Sequence, residues 1–272
     1  MTKCIGLVAG YGAFPLELAT TLKQEGFIVH AVAINEEASA EIEHIADSTT
    51  WLAVGQMKKL IKTMQSHNVH NIIFAGKVQK VHLFRNFKPD LLVAKALLKL
   101  KDKKDDSIML GIVDILAGAD IQVCSQIEYA ESMLAEEGHL FGPKPSKQVL
   151  KDIHFGFAQA KTIAGLDIGQ TLVVKSEAVL AVEAIEGTDE AIKRGGILGG
   201  KKGVTVIKVA KPNQDVRFDV PAIGVGTLES MAASGCTAIA IEAHQTLLIE
   251  KEKLANIAKK LSISVIGFQA GG

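Results

Sequence analysis

The first half of the chain consists of short, nearly continuous apolar runs separated by amphipathic stretches, and this restricts the fold more than any other feature. Residues 4–9, 27–34, 50–54 and 71–75 read as strands. Residues 15–25 read as a helix with Leu16, Leu18, Ala19 and Leu22 on its apolar face, and residues 56–67 as one carrying Met57, Leu60, Ile61 and Met64. Strands that are apolar on both faces need cover on both, which points to a parallel sheet flanked by helices. The expected fold class is therefore α/β, opening with an N-terminal Rossmann-like parallel-sheet domain over residues 1–137. A helical stretch over 90–118, broken near 101–106, and a strand over 121–125 complete it.

Residues 138–146 hold Gly138, Gly142, Pro143 and Pro145, a density of breakers that predicts a linker. Beyond it the rhythm changes. Ser146 is placed to cap a helix reaching about residue 164. Residues 171–175 and 179–182 lie close enough for an antiparallel pair. A short helix over 188–194 follows, with Thr188 as candidate cap. Strands over 204–210, 237–242 and 264–268 then alternate with helices over 227–233 and 250–261. Residues 147–272 thus read as a C-terminal mixed α/β domain.

Composition removes several function classes. Thirty Lys and Arg balance thirty Asp and Glu, so the excess positive charge of a general nucleic-acid binder is missing. Aromatic residues are 5%, too few for a base-stacking platform. Three scattered cysteines, Cys4, Cys124 and Cys236, suit a reduced, cytoplasmic setting better than a disulfide framework. The first residues read as a strand rather than a signal peptide, and no run approaches the roughly 20 apolar residues of a membrane span. There is no G-x-S-x-G, full Walker A or His-Glu-x-x-His motif.

The chemistry-bearing segments sit where strands end. Gly10, Tyr11 and Gly12 follow the first strand and precede Pro15 at the start of a helix. Such a turn can aim backbone N–H groups at a phosphate, or can simply be tight. Pro15 replaces the third glycine of the dinucleotide fingerprint, and Asn35 precedes Glu36 where an acid would end strand two, so NAD(P) binding and a Rossmann oxidoreductase are weakly supported. Lys77 follows the fourth strand, facing either an anion or solvent, and Lys80, His82 and Arg85 extend that basic character. Thr188, Asp189, Arg194, Gly195 and Gly196 form a strand–glycine–helix entry with charges that suit either a helix dipole or an anionic ligand. The most informative stretch is 211–224, between a strand and a helix: Lys211, Gln214, Asp215, Arg217 and Asp219 lie between Pro212 and Pro221. Two carboxylates there can hold Mg2+ with a diphosphate, orient a water, or simply pair with Arg217.

Five segments occur in the same order as in the LpxI family, the UDP-2,3-diacylglucosamine pyrophosphatases of lipid A biosynthesis. They are residues 6–15, 75–78, 105–109, 186–189 and the Lys-Pro-x-Gln-Asp-x-Arg-x-Asp-x-Pro run over 211–221. The chain resembles that family over nearly its whole length. The resemblance implies two domains with the ligand held between them, and a Mg2+-dependent hydrolase that converts UDP-2,3-diacylglucosamine to UMP and lipid X, with water attacking the sugar-side phosphorus. It implies catalytic and metal-binding roles for Asp215 and Asp219, beside Arg217. Substrate contacts are expected from Gly10, Tyr11, Gly12, Lys77, Thr188, Asp189, Arg194, Gly195, Gly196, Lys211 and Gln214. A homodimer is also implied, as is work at the cytoplasmic face of the inner membrane through peripheral contact at most. The competing expectation is a non-catalytic nucleotide-sugar or lipid-binding protein.

Overall fold

A computed structural model describes residues 3–79, 88–99 and 105–269. The chain divides into two compact units, Met1–Ala130 with Val216–Phe218, and Glu131–Asp215 with Asp219–Gly272. Expectations about Lys80, His82 and Arg85, and about most of the helix break near residue 101, fall outside the described residues.

The first unit holds strands β1 (Cys4–Ala9), β2 (Ile28–Ile34), β3 (Ser48–Leu52), β4 (Asn71–Ala75) and β5 (Gln122–Val123) in the order β3-β2-β1-β4-β5. Every pairing is parallel, so the Rossmann-like expectation holds. Helices α1 (Phe14–Gln24), α2 (Ile42–Ile45), α3 (Met57–Ser66), α4 (Leu91–Lys99), α5 (Asp105–Ala117) and α6 (Gln126–Tyr129) connect the strands. Val8, Val32, Leu52, Leu60, Met64, Ile72 and Leu116 are buried in one apolar cluster, and β1 and β2 are buried over almost their whole length. The chain goes from β1 to β2 on one side and to β4 on the other. The ends of β1 and β4 therefore form the switch point at which open α/β sheets bind ligands.

The second unit has a mixed sheet in the order β6-β13-β11-β9-β7-β8. Its strands are β6 (Gly138–Phe141), β7 (Thr171–Lys175), β8 (Ala178–Val182), β9 (Val204–Lys208), β11 (Cys236–Glu242) and β13 (Ser264–Phe268). β9, β11 and β13 are parallel, and β6 and β7 run antiparallel to their neighbours. β7 and β8 form the expected antiparallel pair. A separate two-stranded parallel pair joins β10 (Ala222–Ile223) to β12 (Leu247–Leu248). Helix α7 (Lys147–Gly165) begins at Ser146, whose side chain accepts from the Val149 N–H as expected. Its Ile153, Phe157 and Ala160 pack with Leu172, Ile207 and Ala240. Residues of α8 (Thr188–Leu198), α9 (Val225–Ala233) and α10 (Lys251–Lys260) pack with Val173, Val206 and Ile239, which alternate with that first set along the strands.

Three expectations are corrected. Residues 138–146 do not merely link domains: Gly138–Phe141 forms the edge strand β6 against β13, and the units divide at Ala130. The glycines and prolines there flank the strand rather than replace it. Helix α8 extends to Leu198, so Lys193 and Arg194 lie in its interior rather than in its last turn. Its N-cap is Gly187, at φ 86°, and not Thr188.

Candidate functional site

Direction places the connections of the second unit. β8 runs with β9, because both are antiparallel to β7. The carboxyl ends of β8, β9, β11 and β13 therefore lie along one edge, where residues 183–187, 209–221 and 243–246 leave the sheet.

The 209–221 connection is held at both ends. Ala210, 4% exposed, lies two residues beyond β9, and both of its peptide groups take side-chain partners. Its N–H donates to Glu242 Oε2 at 2.8 Å and its carbonyl accepts from Lys161 Nζ at 2.9 Å. At the far end Lys208 Nζ donates to the Ala222 carbonyl at 3.0 Å, and the Leu247 N–H donates to the Pro221 carbonyl at 2.8 Å. Within the loop the Lys211 N–H donates to Gln214 Oε1 at 2.8 Å, and the Asp219 N–H to the Asp215 carbonyl at 2.9 Å. This last bond closes one turn between the two aspartates. Lys211 Nζ lies 2.9 Å from Asp167 Oδ1 and 3.5 Å from Asp219 Oδ2, with its side chain only 25% exposed. Lys211, Gln214, Asp215 and Asp219 thus share one loop, in which Lys211 and Asp219 form an ion pair.

Val216–Phe218 belong to the first unit. The Gln126 N–H, at the start of α6, donates to the Val216 carbonyl at 2.8 Å, and Gln126 Nε2 donates to the Phe74 carbonyl at 2.7 Å. Phe218 packs against the apolar cluster of that unit, and the Arg217 guanidinium lies 6.0 Å from the Phe218 ring centroid.

At the switch point of the first unit, the Tyr11 N–H donates to the Lys77 carbonyl at 2.7 Å and the Lys77 N–H to the Tyr11 carbonyl at 3.0 Å. A Cβ at Gly10 would lie 2.6 Å from the Lys77 carbonyl oxygen, and one at Gly76 would lie 2.7 Å from that of Tyr11. Both glycines are therefore required for the two turns to touch. Gly12 sits at φ 107° with no atom near its missing Cβ, and Tyr11 is 53% exposed. Gly10, Tyr11, Gly12 and Lys77 come together at one strand edge, with Gly12 and Lys77 open to solvent.

The α8 group behaves differently. Thr188 Oγ1 donates to Glu183 Oε1 at 2.9 Å. Arg194 pairs with Glu186 and donates to the Val182 carbonyl at 2.8 Å. Asp189 is exposed in the first helical turn, where its charge suits the helix dipole. A Cβ on Gly195 would lie 2.4 Å from Val173 Cγ1, and one on Gly196 would lie 2.2 Å from the Ser234 carbonyl oxygen. These two glycines let α8 approach β7 and the end of α9, so protein contacts account for them without a ligand.

Among the described residues no group of three or more His, Cys, Asp or Glu is arranged to hold a metal ion. Asp215 and Asp219, joined across one turn, offer hard carboxylate oxygens. Mg2+ commonly takes one or two carboxylates and completes its shell with water and substrate phosphate, and this donor set fits that habit. Sequence reasoning missed Lys161, Asp167, Lys208 and Gln126. Lys161 and Glu242 are 81 positions apart, and no local pattern announces their pairing.

Fold and strand-edge residues together define a two-unit α/β protein, in which a Rossmann-type unit precedes a mixed-sheet unit bearing a Lys–Asp loop. Residues 4–133 match the LpxI N-terminal domain and residues 136–266 the LpxI C-terminal domain. The chain belongs to the LpxI family. It is 30% identical over 274 residues to UDP-2,3-diacylglucosamine pyrophosphatase LpxI of Caulobacter vibrioides, covering 97% of this chain and 96% of that protein. Likeness to solved structures is slight. A UDP-glucose-4-epimerase from Stenotrophomonas maltophila aligns at TM-score 0.29 and 14% identity, over 45% of this chain and 35% of that one. A biotin carboxylase from Campylobacter jejuni aligns at TM-score 0.28 and 13% identity, over 86% and 42%. At such scores neither bears on the function of this chain.

Proposed function

We propose that this chain is a Mg2+-dependent pyrophosphatase that hydrolyses UDP-2,3-diacylglucosamine to UMP and 2,3-diacylglucosamine 1-phosphate (lipid X), a step of lipid A biosynthesis. The observation that carries this reading is the end-to-end likeness to the Caulobacter enzyme of that name. Water adds across the P–O–P bridge. Its oxygen joins the sugar-side phosphorus, and the bridging oxygen leaves with UMP. The diphosphate's negative charge opposes the attack and must be offset as the transition state forms.

Asp215 and Asp219 would hold the Mg2+, which when bound supplies charge neutralisation at the phosphoryl oxygens. Lys211, already drawn toward Asp219, provides a fixed positive charge beside those carboxylates. Arg217 and Gln214 supply further donors from the same loop. Gly10, Tyr11, Gly12 and Lys77 receive substrate at the switch point of the first unit. Thr188, Asp189 and Arg194 remain assigned to substrate contact, and Gly195 and Gly196 to helix packing. A homodimer that works at the cytoplasmic face of the inner membrane, held by peripheral contact at most, completes the reading. Among the described residues no helix is long and apolar enough to cross a membrane.

The test is 31P NMR of the purified chain with UDP-2,3-diacylglucosamine in 18O-enriched water, with and without Mg2+. UMP and lipid X should appear together and only with the metal, with the heavy oxygen in lipid X. Binding of the substrate without turnover would favour a non-catalytic lipid or nucleotide-sugar carrier and overturn the proposal.

A further inference from the structure

We propose that Lys161 and Glu242, remote in sequence from the aspartate loop, are positioning residues that set the geometry of Lys211 and Asp219. The inference rests on the pyrophosphatase reading above. Glu242 is the last residue of β11 and Lys161 lies on α7. Lys161 Nζ donates at 2.9 Å and 3.0 Å to the two carboxylate oxygens of Glu242, and at 2.9 Å to the Ala210 carbonyl. Glu242 Oε2 also accepts from the Ala210 N–H at 2.8 Å. All three ammonium protons and both carboxylate oxygens are thereby engaged, and the pair clamps both peptide groups of one residue.

That residue adjoins Lys211. Ala210 is buried just where the ladder of β9 has ended, so its peptide groups must find protein partners. The clamp fixes the start of the loop, and with it the origin of the Lys211 side chain that reaches Asp167 and Asp219. The side chains of Lys161 and Glu242 are 30% and 15% exposed, partly withdrawn from the competing water that weakens surface pairs. Groups that hold a working residue in place typically change activity by about 10–100-fold when removed, in line with the sensitivity of catalysis to displacements of about 1 Å.

The test uses the full chain and the variants Glu242→Ala, Glu242→Gln and Lys161→Met. Glu242→Ala should lower kcat about 10–100-fold while KM moves by less than about threefold, as expected when transition-state contacts are lost. Glu242→Gln keeps an oxygen for the Ala210 N–H and should recover part of that loss. Amide hydrogen exchange supplies a readout independent of turnover. The peptide spanning 209–219 should exchange faster in Glu242→Ala and Lys161→Met than in the parent, with β11 and α7 unchanged. A kcat for Glu242→Ala within twofold of the parent, or a Glu242→Gln variant no better than Glu242→Ala, overturns the positioning role. If the parent itself forms no UMP, the pyrophosphatase reading has failed instead. Exchange at 209–219 then decides the clamp alone: faster exchange in the variants supports it, and unchanged exchange overturns it.

Discussion

Lys211 shows how much rests on single side chains here. Its ammonium stands between Asp167 and Asp219, so removing either carboxylate changes the electrostatics around it. Asp219→Asn and Asp215→Asn each keep the size and the hydrogen-bonding reach of the side chain while deleting its charge. One or both should lower kcat by at least about 100-fold, the scale of losing one charge-stabilising group. The melting temperature should stay within a few degrees, because both residues are only half-buried. Steady-state UMP release and a thermal melt on the same preparation check this.

A second residue-scale effect lies far from the loop. His30 is 9% exposed, stacks on His67 with ring centroids 4.0 Å apart, and has its Nδ1 2.7 Å from Ser48 Oγ. Burial first, and then the neighbouring His67, hold its pKa below the ordinary 6.5, against a smaller opposing pull from Asp47. The unfolded chain therefore takes up this proton more readily than the folded one. Stability contributed by the neutral ring is present above the unfolded pKa and declines as pH falls below about 6.5 toward the folded value. Melting temperature measured from pH 8 to pH 5 should fall less steeply in His30→Gln than in the parent. Parallel curves would remove His30 from the explanation.

At the scale of elements, the sequence was most legible where one periodicity ruled. Buried strands such as Thr171–Lys175 and Ser264–Phe268 coincide with their expected bounds, because continuous apolar runs leave little choice of structure. The edge strand Gly138–Phe141 was not legible. It is half-exposed, starts at a glycine and carries His139, so it resembles the loop that follows it. Its pairing depends on β13, more than 120 residues later, which no local pattern contains. The 211–219 loop was legible as chemistry, since two aspartates, an arginine and a lysine crowd between prolines. Its anchors were not, because Lys161 and Glu242 meet only through tertiary structure. The Gly195–Gly196 pair is ambiguous for a related reason: a glycine demanded by helix packing and one demanded by a ligand look alike in sequence. Gly195→Ala would press a methyl group to 2.4 Å from Val173 Cγ1. It should destabilise the chain by about 1–3 kcal/mol, the usual cost of overpacking, in a urea melt. KM for the substrate should stay nearly unchanged if the glycine serves packing alone.

At the scale of the whole molecule, the loop that carries the two aspartates is divided between the two units. The 209–221 connection leaves the second unit at Asp215, lends Val216–Phe218 to the first, and returns at Asp219. Asp215 and Asp219 thus flank the three residues of that connection that belong to the first unit. Balanced charge, with 30 basic and 30 acidic residues, gives the molecule no strong field toward an anionic bilayer. Sedimentation with vesicles that contain anionic lipid should therefore recover only a minor fraction of the chain at physiological salt, and that fraction should depend little on ionic strength. Complete recovery, lost on adding salt, would instead require a basic docking surface.

The measurement closest to the central claim is UMP formation from UDP-2,3-diacylglucosamine by the parent chain and by Asp215→Asn and Asp219→Asn, each titrated with Mg2+. Turnover by the parent should depend on the metal, and one or both variants should lose at least about 100-fold while substrate still binds. Parent-level turnover in both variants, or equal rates after the metal is stripped with a chelator, would contradict it.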